Sequence, residues 1–158
     1  MKFFATVAAF ASAAAAASLP SAFTLVGDGG QTVLTNGQYL YVGGNTTSNE
    51  IAIFHATPDT GSVSFTSQNG VPTAFQSLYV VEKTVSPVGL TIPHSGATPE
   101  GASTTDFGVN DKGYFTHEGK DYFAVDGYGS NPQKQIYWYG AHSSEYRAEN
   151  LWVKEFKE

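Results

Sequence analysis

Short runs of aromatic and β-branched residues, separated by glycine, asparagine or proline, recur along the chain. TLVGDGGQTVLTNGQYLYVGG shows the pattern first, as a strand, a Gly-rich turn, a second strand, an Asn36-Gly37 turn and a third strand. Asn-Gly at such a place predicts a two-residue hairpin turn with both central residues at positive φ. Further strands are predicted at EIAIFHA, SVSFTSQ, SLYVVEK, VGLTIP, GYFTHEG, DYFAVDG and IYWYGAH. Side chains alternate across a strand, so Leu40 and Val42 share one face of YLYV and Tyr39 and Tyr41 the other. In IYWYG, Tyr137 and Tyr139 lie on one side and Trp138 on the other. The segment SSEYRAENLWVKEF reads as a short helical turn started by Ser144 or as a final strand from Leu151 to Phe156.

No segment has the composition of a linker. The spacing therefore predicts one all-β domain, an antiparallel β-barrel, with a β-trefoil or a β-sandwich as alternatives. The trefoil enters because YLYV, SLYVV and DYFAV recur about every 40 residues.

Composition adds where the domain begins. MKFFATVAAFASAAAAASLP has one early positive charge, Lys2, then an apolar Phe/Ala/Val run, then small residues ending at Ala15, Ala16 and Ala17. This is the layout of a secretory signal peptide over residues 1–17, cleaved after Ala17, and not of a membrane span, because Pro20 and polar residues follow at once. Residues 18–158 are then one secreted β domain, extracellular or in the cell wall, and long enough to bury a core without staples. The chain has no cysteine, so disulfides, thiolate metal sites and thiol redox chemistry are excluded. The formal charge of −6 becomes −7 without Lys2, and Arg147 is the single arginine. A chain so poor in basic residues is not expected to bind nucleic acid. NLWVKEFKE lacks the apolar tail of a lipid-anchor signal. Asn45, in NTT, is an N-glycosylation acceptor on an expected surface loop.

The stretch VGLTIPHSGATPEGASTTDFG invites an enzyme reading, since His94, Ser95 and Asp106 are the residue types of base, nucleophile and acid. Its context opposes that reading. Ser95 follows Pro93 and His94 instead of standing in Gly-x-Ser-x-Gly, and neighbours on an extended strand point to opposite faces. His94, Ser95, Pro99 and Gly101 are assigned instead to a structural loop in which the hydroxyl and the ring bond turn backbone. Histidines 55, 94, 117 and 142 form no His-Glu-x-x-His or His-x-His pattern, so no metal site is assigned, and zinc would need one assembled wholly by the fold. DGYGSN lacks the carboxylate spacing of a calcium loop. Asp106, Asp111, Glu118, Asp121 and Asp126 lie close enough in sequence to supply a glycosidase pair, which keeps a secreted hydrolase as an alternative. No cofactor is implied. Tyr39, Tyr41, Tyr137, Tyr139 and Trp138, with Tyr122 and Tyr128, offer rigid amphipathic surfaces suited to stacking on sugar rings, which makes a carbohydrate-binding module another alternative.

VGLTIPHSGATPEGA, preceded by SLYVV and followed by GYFTHEGKDYFAV and QIYWYGA, resembles the small secreted fungal proteins known as phialide-type cell-wall proteins and IgE-binding allergens. Their relatives include elicitors of plant hypersensitive cell death. The resemblance implies a single-domain β-barrel, secreted, wall-associated and without known catalysis, with a wall polysaccharide or a host surface component as partner. Where that family commonly has a cysteine after alanine in a late strand, this chain has Val125 in FAVDG, so the family's disulfide cannot form.

The small-residue run fixes one outcome. Mass spectrometry of the extracellular protein should find an N-terminus near Ser18. An extracellular form that retains Met1 would overturn the signal-peptide assignment.

Overall fold

The structure, a computed structural model, describes residues 18–68, 70, 74–127, 129–139 and 144–157. Residues 1–17, where the sequence predicts a signal peptide, and Tyr128 and His142 lie outside the described residues. Among those described, the secondary structure is sixteen short strands with no helix, and every strand pair is antiparallel. Numbered in chain order, the first sheet runs β10 (Ala102–Ser103), β7 (Gln76–Val81), β6 (Ser62–Phe65), β5 (Phe54–Thr57), β1 (Ala22–Val26) and β16 (Trp152–Glu155), with β9 (Gly89–Leu90) also on β7. The second runs β15 (Tyr146–Ala148), β13 (Phe123–Asp126), β14 (Lys134–Trp138), β3 (Leu40–Val42), β2 (Leu34–Thr35) and β4 (Glu50–Ile51), with β8 (Ser86–Pro87) also on β14. A separate hairpin pairs β11 (Phe107–Val109) with β12 (Phe115–His117). The all-β antiparallel expectation holds, and the C-terminal segment ends in the expected strand, β16, with a second strand, β15, in place of the alternative helical turn. Neither sheet closes: the first ends at β10 and β16, the second at β15 and β4. No helix among the described residues is long and apolar enough to cross a membrane.

Residues 86–90 carry the chain from one sheet to the other. Ser86 and Pro87 pair with β14, Gly89 and Leu90 pair with β7, and the fully buried Val88 between them donates its N–H to the Ile136 carbonyl at 3.0 Å. A Cβ at Gly89 would lie 2.4 Å from the Tyr79 hydroxyl, so this crossing needs glycine.

The core is one cluster drawn from both sheets and the hairpin. Its spine is aromatic. Phe54 meets Phe23 at 5.6 Å between ring centroids, Phe23 meets Phe115 at 5.8 Å, Phe115 meets Phe123 at 5.5 Å, and Phe123 meets Trp138 at 5.1 Å. Each such pair adds about 0.5–1.5 kcal/mol beyond the area it buries. Alternation holds where one face is wet: Leu40 and Val42 are buried and Tyr41 between them is half-buried. It fails in β1 and β13, where Phe23, Thr24 and Leu25, and Phe123, Ala124 and Val125, are buried in succession because neighbouring elements cover both faces.

The Asn36-Gly37 turn differs from its prediction. Gly37 alone has positive φ, at 90°, and the strands rejoin at Thr35 and Leu40, which makes residues 36–39 the connection. The Asn36 side chain takes over part of the closure, its Oδ1 accepting the N–H groups of Gln38 and Tyr39 at 2.9 Å each. This is an Asx turn, which needs no left-handed backbone at Asn36.

A second fixed corner follows β1. The Asp28 N–H donates to Glu149 Oε1 at 2.9 Å, and the Asn150 N–H donates to Asp28 Oδ2 at 2.9 Å. A Cβ at Gly27 would stand 2.6 Å from the same Glu149 oxygen. Burial pushes the Glu149 carboxyl above its ordinary range, the Asp28 N–H pulls it back, the Asp28 charge raises it again and Arg147 opposes. A folded-state pKa above the unfolded one gives a contribution that is complete below the unfolded pKa and is lost as pH rises through the folded value. Glu149→Gln keeps an acceptor and removes the charge. Its Tm should exceed that of the parent by a few degrees at neutral pH, with the gap closing as pH falls into the carboxylate range. Thermal unfolding across pH measures this, and a gap independent of pH would rule it out.

Candidate functional site

The His94 loop is a pair of turns. The Ser95 N–H donates to the Ile92 carbonyl at 3.0 Å, with Pro93 second and His94 third at φ 63°, which is type II geometry. His94 and Ser95 therefore do not lie on an extended strand, and the opposite-face argument for separating them does not apply. The clamp assignment of Ser95 rests on a bond of its own: Oγ accepts the Ala97 N–H at 3.2 Å. Pro99 opens the next turn, closed by the Ala102 N–H on the Pro99 carbonyl at 3.1 Å. Gly101 supplies the left-handed residue there, at φ 79°, and its carbonyl accepts the Glu82 N–H at 3.2 Å, tying the loop to the end of β7. His94 and Ser95 line a groove of about 490 Å³ with Phe75, Ser77, Thr91 and Thr98. Asp106 lines a different groove, so the structure does not assemble these three residues into one site.

The tyrosines gather on the outward face of the second sheet. Tyr41 pairs with Gln135 across β3 and β14, and Tyr137 stands two residues along β14 on the same face. The Tyr146 ring, from β15, lies 4.7 Å from that of Tyr137. All three rings are half-buried. Asn36 Nδ2 donates to the Tyr41 hydroxyl at 3.3 Å, and the Tyr137 hydroxyl donates to Gln135 Oε1 at 3.5 Å. Burial, with Tyr146, Asp126 and Tyr41 adding to it, pushes the Tyr137 hydroxyl up, so it stays a neutral donor and acceptor. Tyr39 and Tyr139 are half-buried at the ends of β3 and β14. Trp138 has to be removed from the sugar-contact candidates. It is 4 % exposed and packs edge-on against His117 at 5.3 Å and Phe123 at 5.1 Å, because the alternation that turns Tyr137 outward turns Trp138 into the core. Tyr146 was missed because the sequence placed it either in a helical turn started by Ser144 or ahead of a strand beginning at Leu151, whereas it stands on β15. Asn45 is exposed, with Oδ1 accepting the Thr47 N–H at 3.1 Å.

A third grouping surrounds His117. The ring is buried at the end of β12, with Nε2 3.0 Å from Ser103 Oγ and 3.8 Å from Glu82 Oε1. Burial pushes the imidazole below its ordinary range against the opposing pull of Glu118, Glu82 and Asp106 and of a hydrogen bond to the Thr105 backbone, so the ring is neutral near pH 7. The next two residues, Glu118 and Gly119, have φ 51° and 75° and join His117 to Lys120 through two reciprocal backbone bonds, of 2.9 and 3.0 Å. That two-residue loop sets the Glu118 carboxylate beside Glu82 and His117. The sequence carries no motif for this grouping, because Glu82 arrives from the far end of β7.

Of the carboxylates singled out for a glycosidase pair, Asp106, Asp111 and Glu118 line one groove of about 820 Å³, joined there by Asp59, whereas Asp121 and Asp126 do not.

No protein-family model, no curated protein and no solved structure matches this chain.

The loop geometry generates a stability prediction. Ser95→Ala removes one exposed side-chain bond and should lower stability by no more than about 1 kcal/mol. Gly101→Ala should lower it more, by about 1–2 kcal/mol, because a Cβ there has room but the left-handed backbone disfavours it. Urea unfolding of both variants measures the order, and a larger loss for Ser95→Ala would refute it.

Proposed function

We propose that this chain is a secreted, non-catalytic, wall-associated protein of the phialide-type and allergen-like kind that its sequence resembles, holding wall polysaccharide on the tyrosine face of its second sheet. The observation that carries the reading is the row of half-buried rings Tyr41, Tyr137 and Tyr146 with Gln135 among them. Half-burial fixes each ring while leaving its apolar body and polar tip exposed to a ligand, which suits the C–H face and hydroxyls of a sugar unit. A sheet face is also extended and open along its length, matching a polymer chain better than a closed pocket would. Two open sheets facing one shared core support a β-sandwich in preference to the barrel or the trefoil. Recognition by a host surface, as in the elicitor relatives of that family, is a separate property of the same exposed protein.

A second reading, a secreted hydrolase, draws on the groove that gathers Asp106, Asp111 and Glu118.

Binding to insoluble β-1,3-glucan and to chitin, measured by pull-down, separates the two. Retention should fall at least tenfold in Tyr137→Ala combined with Tyr146→Ala, with the circular dichroism spectrum preserved. Undiminished retention in the folded double variant would overturn the tyrosine-face reading. Release of reducing sugar by the parent, lost in Asp106→Asn with Asp111→Asn, would establish the hydrolase instead.

A further inference from the structure

The geometry points to a divalent-metal site, of the kind that takes Zn²⁺, formed by His117, Glu82 and Glu118. The ligand-capable atoms of these three side chains all lie within 4.8 Å of one another. His117 Nε2 and Glu82 Oε1 are already 3.8 Å apart. Two ligands on a tetrahedral zinc at ~2.1 Å are about 3.4 Å apart, so closure asks for movements under about 1.5 Å. Those movements fall to the right partners. His117 is 1 % exposed and fixed by its ring contacts with Phe107 and Trp138, whereas the Glu82 side chain is 38 % exposed and Glu118 stands in solvent on a hairpin loop. A rigid imidazole anchor with two adjustable carboxylates also leaves an open position for water.

Three further features favour a cation here. The charges that act on the His117 ring are carboxylates, those of Glu118, Glu82 and Asp106, so the site lies in a negative field on a chain of net charge −6. The ring also hydrogen-bonds to the Thr105 backbone, and a backbone partner of this kind orients an imidazole that ligates a metal. The Ser103 hydroxyl, now 3.0 Å from Nε2, has a second acceptor in the Thr105 carbonyl at 3.4 Å. Releasing Nε2 to a metal therefore does not strand that hydroxyl. Imidazole nitrogen beside carboxylate oxygen selects zinc and its transition-metal neighbours over calcium and magnesium, which take oxygen alone.

The test is calorimetric titration of ZnCl₂ into the secreted protein after dialysis against EDTA, with a thermal melt of the same samples. Saturable binding of one Zn²⁺ per chain and a rise in Tm are expected. Glu82→Gln and Glu118→Gln, both at side chains outside the core, should each weaken binding at least tenfold, and the pair should abolish it. The Co²⁺-loaded parent should show the intense visible bands of a four-coordinate site, lost in the double variant. Absence of saturable binding, or binding of equal strength in the folded double variant, would overturn the assignment, the second outcome placing the metal on surface histidines such as His55 or His94.

Discussion

Phe115 is the ring on which the two sheets and the hairpin meet. It packs against Phe23 of the first sheet, Phe123 of the second and, stacked at 5.4 Å, Phe107 of its own hairpin. In a chain without cysteine, no covalent link enforces that convergence, so apolar burial and ring packing have to supply it. The consequence reaches beyond the core. His117 follows Phe115 by two residues, so its side chain points the same way, and its ring continues the aromatic packing with Phe107 at 5.1 Å and Trp138 at 5.3 Å. The imidazole is thus buried by the same contacts that join the sheets, and the acidic residues meet it where the packed interior ends.

Strand β14 separates the packed core from the tyrosine face. Ile136 and Trp138 turn inward and hold the core, while Gln135 and Tyr137 turn outward and build the tyrosine face. A register slip by one residue would exchange these sets, burying polar tips and exposing a tryptophan. Pairing with β3, β8 and β13 prevents it, because Gln135 is held opposite Tyr41, Tyr137 opposite Pro87 and Trp138 opposite Phe123.

Strand identity was legible in the sequence wherever one face is wet, as in YLYV, because period-two alternation is then imposed by solvent. The two-sided burial of β1 and β13 was not, since continuous apolar runs do not say what covers the second face. Trp138 illustrates how the same rule reads the site. Alternation correctly set it apart from Tyr137 and Tyr139, but only its contacts with His117 and Phe123 show that its side is the dry one. The grouping around His117 was beyond reach for a different reason. Its members come from β7, β10 and the β12 hairpin loop, and a site assembled from separate segments leaves no spacing to read.

Turn chemistry supplies the last link. Non-glycine residues with positive φ are His94, Asp106 and Glu118 among those described, at 63°, 66° and 51°. Each sits where glycine is the favoured residue, and left-handed backbone disfavours an L side chain by roughly 1–2 kcal/mol. A folding argument alone would place glycine at all three. Keeping side chains there has a local result in each case: His94 borders one groove, Asp106 borders another, and Glu118 is delivered to the edge of the buried imidazole. The strain thus lies at the rims of the grooves and not in the core, where every large ring is fully buried in regular strand. Stability is concentrated in the aromatic spine, and the conformational concessions are made where side chains meet solvent.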